Sequence, residues 1–361
     1  MAHEPQQRPL ASYLRASFVA QLFNVAVADF LREPLVEERR ILGDVACVEA
    51  LDAMSEEDLF GRIERADAIM LYHFVTLGEA VISRLERCRL IVRCGVGVDN
   101  VDREAAARRG IPVANVPDYG AEEVADSAIG MLLSLARGIN FFNSRMRLDG
   151  SRWTYETGRP LVRLRGRKLG IVGLGRIGIA TALRGKSLGM QVLFYDPYLP
   201  DGVDKALGVT RVESLEELFS QSHAVSLHCP ATPETEGLVG SRLLGLMHPG
   251  SYLVNTARGA VVDAGAVLTA LESGHLAGAA LDVLTIEPPL EEDPLLVAWR
   301  DPTHAAHDRL ILNPHSAFYC EEGLLEMRTK GSENCRRALR GERIRNVVNG
   351  VAVSALAPPA A

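Results

Sequence analysis

Arg258, Glu287 and His315 follow one another along a 361-residue chain, and a Gly173-Leu-Gly175-Arg-Ile-Gly178 turn precedes all three. A guanidinium can grip a carboxylate and steady charge on a neighbouring carbonyl oxygen, while an imidazole backed by a carboxylate can move a proton at that oxygen. The turn follows an apolar run and opens a helical stretch, the context in which such glycines cradle a pyrophosphate. Together these residues predict hydride transfer between a nicotinamide dinucleotide and a 2-keto or 2-hydroxy acid.

Each member is predicted at the end of a strand, where ligands collect in open α/β sheets. Arg258 lies in Asn255-Thr-Ala-Arg-Gly259, just past an apolar run. Glu287 follows Leu281-Asp-Val-Leu-Thr-Ile, and His315 sits in Asn313-Pro-His-Ser-Ala-Phe318, where Pro314 fixes the backbone ahead of the imidazole. Taken singly, the arginine could be a surface or capping residue and the Asn-Pro-His a plain turn. A carboxylate beside His315 would favour the imidazolium and suit it to general acid work near neutrality. His304 and His307 share a polar loop but find no third ligand at sensible spacing, so no metal is expected.

On the cofactor side, Gly173 permits the tight turn, Gly175 lets the backbone approach a pyrophosphate, and Gly178 allows close helix–strand packing. The helix opening near Arg176 aims free N–H groups at the phosphates. Asp196 ends the next apolar run, where a carboxylate accepts hydrogen bonds from ribose hydroxyls. It also repels a 2′-phosphate: like charges about 4 Å apart cost roughly 4 kcal/mol at a surface-like dielectric, so NAD is expected rather than NADP. Gly95-Val-Gly97-Val-Asp-Asn100 has two of the three glycines but Asn100 in place of the third. It is read as a loop whose amides could hold a substrate carboxylate.

The elements that must position these residues are legible as alternating strand-length and helix-length segments. Leu90–Cys94, Leu169–Val172, Gln191–Tyr195, Ala224–Leu227, Tyr252–Asn255 and Ala277–Asp282 are short and apolar on both faces, as strands covered by helices should be. Helices are expected over Ile177–Leu188, Asp263–Glu272, Ala121–Leu148 and Glu321–Arg340. The fold class is α/β, with two doubly wound parallel-sheet domains: a Rossmann NAD-binding domain inserted into a flavodoxin-like substrate domain. The division expected is 1–117 with 318–361 for the discontinuous substrate domain and 118–317 for the NAD-binding domain, with hinges near Pro117 and Pro314. The stretch between Asp149 and Lys168, rich in arginine, is a solvated linker or an intersubunit arm. The last residues, Ala355 to Ala361, are expected to be disordered.

A net charge of -7 argues against a nucleic-acid surface, and no apolar run is long enough for a membrane helix. The N-terminus carries no apolar core of a secretion signal. Six cysteines with no CxxC pair read as reduced thiols, which places the expected enzyme in the cytoplasm.

With these residues in view, the chain resembles the D-isomer-specific 2-hydroxyacid dehydrogenases, and within them the C-terminal-binding proteins, dehydrogenase-like corepressors. The resemblance runs from about Pro34 to Asn349. It is carried by Leu71-Tyr-His73, Ile91-Val-Arg-Cys-Gly-Val-Gly-Val-Asp-Asn100, Val192-Leu-Phe-Tyr-Asp-Pro-Tyr-Leu199 and Leu253-Val-Asn-Thr-Ala-Arg-Gly259. It implies that Arg258 holds the substrate carboxylate and carbonyl, that His315 is the acid–base and that Glu287 pairs with it. It implies cofactor contacts from Arg176, Ile177, Asp196, His228, Cys229, Pro230, Thr232, Thr256, Ala257 and Asp282, the last at the nicotinamide amide. His73, Arg93, Val96 and Gly97 match positions at the substrate end of the cleft, although His73 could equally be a packed strand-end histidine. A homodimer through the helix starting near Ala121 is also implied.

The chain departs from the corepressors in four places. Phe318 replaces a tryptophan that contacts substrate, and Val96 replaces a serine of the carboxylate loop. The 289–309 segment is longer, and could shape the cleft mouth or pack on another subunit. The long C-terminal tail is absent. The expected function is therefore an NAD-dependent dehydrogenase of D-2-hydroxy acids; the alternative is an NAD(H)-sensing, corepressor-like binding protein with vestigial activity.

Overall fold

A computed structural model describes residues 22–148, 150–156 and 161–352; the final Ala355–Ala361 stretch lies outside them. Short strands buried on both faces assemble into two parallel sheets, as their uninterrupted apolar runs require. The first sheet contains β1 (Phe23–Val27), β2 (Ala46–Ala50), β3 (Ala68–Leu71), β4 (Ile91–Arg93) and β5 (Val113–Asn115), in the order β2-β1-β3-β4-β5. The second contains β6 (Lys168–Val172), β7 (Gln191–Tyr195), β8 (Thr210–Arg211), β9 (Ala224–Leu227), β10 (Ser251–Asn255), β11 (Leu276–Leu281) and β12 (Leu310–Leu312), in the order β12-β11-β10-β9-β6-β7-β8. Strand order reverses between β1 and β3 in one sheet and between β6 and β9 in the other. At such points neighbouring crossovers leave on opposite faces and open a crevice beyond the strand ends.

The C-terminal helix Glu321–Leu339 packs on the first sheet, although the whole second sheet intervenes in sequence. Met327, Cys335, Ala338 and Leu339 share a core with Val25, Met70 and Val92. Arg328 donates two hydrogen bonds of 2.7 Å to Glu38, whose side chain is fully buried. That bidentate geometry offsets the cost of taking the carboxylate out of water. Residues beyond the helix return to β5 through the Val348 N–H and the Val113 carbonyl, 2.8 Å apart.

The helical stretch expected over Ala121–Leu148 is two helices, Ala121–Arg137 and Ile139–Met146. Gly138 separates them at φ 63°, a left-handed conformation that ends a helix with little strain only when no Cβ is present. The 289–309 segment forms a helix, Pro294–Arg300, capped by Asp293. Its Leu295, Ala298 and Ala306 join the core of the second sheet, and Asp308 pairs with Arg145 at 2.5 Å. It does not line the cleft described below. All six cysteines are free thiols. Among the described residues no helix is long and apolar enough to cross a membrane.

Candidate active site

The carboxyl ends of the two sheets face one cleft of about 500 Å³. From the first sheet come His73 after β3, Arg93 at the end of β4, Val96, Gly97 and Asp99 in the following loop, and Tyr119 after β5. The second sheet contributes Gly175, Arg176 and Ile177 after β6, His228 to Thr232 after β9, and Thr256, Ala257 and Arg258 after β10. Asp282 follows β11, and His315 and Phe318 follow β12. Strand termini separated by most of the chain thus converge on one volume.

His315 is set at φ 51°, a left-handed conformation uncommon outside glycine, so its surroundings must over-determine it. Asp282 does so. Its carbonyl accepts the His315 N–H at 2.8 Å, and its carboxylate accepts the amides of Ser316 at 2.9 Å and Ala317 at 3.0 Å. Burial pushes the Asp282 carboxyl up despite these amides. Behind His315, out of the cleft lining, Glu287 Oε2 lies 2.6 Å from Nδ1, while its Oε1 accepts the Leu284 N–H at 2.8 Å. Because a carboxylate only accepts, Nδ1 carries the proton of that bond and Nε2 is left to the cleft. Burial pushes Glu287 up, but the hydrogen bond and charge of His315 outweigh it, and its carboxyl lies below the ordinary 4.5.

Arg258 reaches across the cleft. Its Nε and one terminal nitrogen lie 3.3 and 3.2 Å from Asp99 Oδ1, and the other terminal nitrogen donates to the Ala257 carbonyl at 2.7 Å. The Gly95–Gly97 loop, expected to offer amides, also makes room for two guanidinia. A Cβ on Gly97 would stand 1.7 Å from an Arg258 nitrogen, and one on Gly95 would stand 1.5 Å from an Arg93 nitrogen. Arg93 is half-buried and makes only weak bonds, at 3.4 Å to Asn100 Oδ1 and to the Cys94 carbonyl. Two cations therefore sit side by side, facing Asp99.

At the other end, Gly173 turns at φ 86°, and a Cβ there would come within 2.9 Å of the His228 and Cys229 backbone. Gly178 brings the helix to the turn so closely that a Cβ would meet the Gly173 carbonyl oxygen at 2.1 Å. A Cβ on Gly175 would meet no atom within 4 Å, which leaves the helix N-terminus accessible to a pyrophosphate. Asp196 lies outside the cleft lining and anchors the turn, accepting the Leu174 amide at 2.9 Å and the Tyr198 amide at 3.0 Å. A carboxylate has about four acceptor sites, so capacity for a ribose remains. His228 Nδ1 and Thr256 Oγ1 are buried beside the cleft with no hydrogen-bond partner among the described residues. Burial drives the His228 imidazole down to about 3, so it is neutral. Accessible amides, a spare carboxylate edge and two unsatisfied polar atoms fit a dinucleotide.

Sequence reasoning passed over Asp99, Phe30 and the anchoring work of Asp282. Asp99 sat inside a motif read for its glycines, and its partner lies 159 residues away. Phe30 carries no sequence signal; only its φ of 69° and its ring contacts mark it.

The model of the D-isomer-specific 2-hydroxyacid dehydrogenase NAD-binding domain matches residues 129–317. The chain is 35% identical over 328 residues to D-3-phosphoglycerate dehydrogenase of Methanocaldococcus jannaschii, covering 91% of this chain and 60% of that protein. It is 33% identical over 309 residues to C-terminal-binding protein 1 of Caenorhabditis elegans, covering 84% and 42%. It thus spans less than two thirds of the length of either. Among solved structures, D-lactate dehydrogenase from Aquifex aeolicus, complexed with NAD and lactic acid, superposes with a TM-score of 0.79 at 28% identity, covering 91% of this chain and 99% of that one.

Proposed function

The chain belongs to the D-isomer-specific 2-hydroxyacid dehydrogenase family, and from that premise we propose that it is an NAD-dependent oxidoreductase interconverting a D-2-hydroxy acid and a 2-keto acid. Its substrate domain is assigned to 1–117 with 318–361 and its dinucleotide domain to 118–317, a division supported, among the described residues, by the return of the C-terminal helix to the first sheet. The helix N-terminus at Arg176, the spare edge of Asp196, and the His228 and Thr256 side chains would hold the dinucleotide. When bound as NADH, it supplies the hydride for the keto carbon.

Arg258 takes the substrate carboxylate through its fork and stabilises the charge that develops on the carbonyl oxygen. His315 gives that oxygen a proton from Nε2. Glu287 stabilises the imidazolium and fixes the ring through Nδ1, and Asp282 holds the backbone that aims it. The observation that carries the reading is His315, paired with Glu287 at 2.6 Å and lining one cleft with Arg258 and the glycine turn. Reading the chain as an NAD(H)-sensing scaffold gains no observation of its own. The proposed enzyme is cytoplasmic and homodimeric, and acts on a small acid.

The test is NADH oxidation with a panel of small 2-keto acids. His315→Gln should lower kcat by about 10²–10⁴-fold, and Arg258→Lys should remove most activity, since an ammonium cannot reproduce a planar fork. Unchanged rates in both variants would defeat the assignment.

A further inference from the structure

We propose that the side-chain subsite of this cleft is built for a 2-keto acid bearing an uncharged aromatic or bulky apolar group, and selects against a second anionic group; this rests on the activity proposed above. The keto carbon is planar, with a carboxylate, an oxygen and a side chain in one plane. With the carboxylate on Arg258 and the oxygen toward His315, the side chain must point at the remaining wall.

His73 and Phe318 line that wall, with further rings stacked outward from them. The centroid of the Phe318 ring lies 6.2 Å from that of His315, edge-on at 83°, and 5.9 Å from that of His73. Phe30 and Phe74, outside the cleft lining, each stand 4.6 Å from His73 and extend the row outward to the half-exposed Phe74. Offset and edge-on contacts at these separations are those that add an aromatic guest favourably. Burial, with the charges of Arg93 and His315, drives His73 down to about 4, so the row carries no charge at neutral pH. Arg93 and Arg258 both lie over the Gly95–Gly97 loop, on the carboxylate side. Arg93 is near enough to act on His73, but the rings themselves offer a second anion on the substrate no charge and no donor, so it would give up water for an apolar wall.

The row is held in place deliberately. Asp29, at the end of β1, accepts the amides of Tyr72 and Phe74, each at 2.6 Å, and of Val75 at 3.2 Å, fixing the turn that carries His73 and Phe74. The next residue, Phe30, is kept at φ 69°, a conformation costly for a bulky side chain, and its ring meets His73.

The experiment measures kcat/KM with NADH for phenylpyruvate, 4-methyl-2-oxopentanoate, pyruvate, glyoxylate, oxaloacetate and 3-phosphooxypyruvate. Phenylpyruvate should exceed pyruvate and both acids that carry a second anionic group by about 10–200-fold, the range an apolar pocket provides. Phe318→Ala and Phe74→Ala should each cut the ratio of phenylpyruvate to pyruvate several-fold. A best substrate among glyoxylate, oxaloacetate or 3-phosphooxypyruvate overturns the proposal while leaving the dehydrogenase reading intact. Should no keto acid be reduced, that reading fails, and calorimetry with NADH present decides the subsite. Phenyllactate binding at least tenfold tighter than lactate upholds it, and equal or weaker binding overturns it.

Discussion

Asp99 occupies an edge of the Arg258 guanidinium that the substrate carboxylate would take in the proposed reaction, through contacts of 3.2 and 3.3 Å to one oxygen. Burial raises its carboxyl, but the charge and hydrogen bond of Arg258 outweigh burial and hold it below 3.8, so it competes in its charged form at neutral pH. The ion pair is partly exposed, and such pairs contribute about 0.2–1 kcal/mol. Asp99→Asn should therefore lower KM for 2-keto acids by up to about fivefold, measured at saturating NADH. A raised KM would mean that Asp99 orients Arg258 instead of competing for it. Glu287 sets a second prediction. In Glu287→Gln the amide would donate to Nδ1, moving the ring proton to Nε2 of a neutral imidazole, a far weaker acid than the imidazolium. The rate of keto acid reduction should fall by about 10²–10⁴-fold. The pair also leaves a mark on stability. The folded carboxyl sits below 4.5, so its contribution is present above that pH and is lost as the pH falls through the depressed value. The Tm difference between the parent and Glu287→Gln should hold from pH 7 down to about 5 and shrink below 4.5. Arg258, Glu287 and His315 were legible because each follows an apolar strand run; Asp99 was not, since a contact across 159 residues leaves no local pattern.

At the level of elements, six of the strands could be read from sequence because parallel strands covered on both faces need continuous apolar runs, as in Ala224–Leu227, buried at every residue. Helix ends were legible where a capping side chain marks them. Asp263 accepts the Ala266 amide at 3.0 Å at the helix start expected for it. The break at Gly138 was not legible, because a glycine inside an apolar periodic stretch can be tolerated and only its φ of 63° decides. The clasp beyond the ends of β1 and β3 was also invisible, since there one carboxylate reaches amides more than 40 residues away. That clasp is testable. Asp29→Ala would strand up to three amides, two of them on buried residues, at about 1–3 kcal/mol for each left without water. Urea unfolding should show a loss of at least about 2 kcal/mol. Hydrogen exchange should show the 72–75 turn losing protection first; a variant as stable as the parent would mean that water replaces the carboxylate.

For the whole molecule, the two sheets present their carboxyl ends to one another, and the apolar surface left outside that arrangement is concentrated elsewhere. The Ala121–Arg137 helix buries its apolar face within its own chain, on Ala182, Ile171 and Tyr252. Its outer Glu122 and Asp126 are both paired with Arg184. A self-associating surface at that end of the helix would have to desolvate these ion pairs, which is costly. Just beyond it, Ile139, Leu148, Trp153 and Tyr155 are all exposed, Trp153 at 93% of its surface. Several large apolar side chains left in water within one short segment are the mark of an interface. The proposed homodimer should therefore be centred on residues 139–155 rather than on the start of the preceding helix. Sedimentation at micromolar concentration should give twice the chain mass, and Trp153→Glu should move the population toward monomer. The Trp153 emission should shift red as the protein is diluted through the dissociation constant, with Trp299 replaced by Phe to remove the second signal. A dimer that persists unchanged in Trp153→Glu would relocate the contact, and a monomer in the parent protein would remove it.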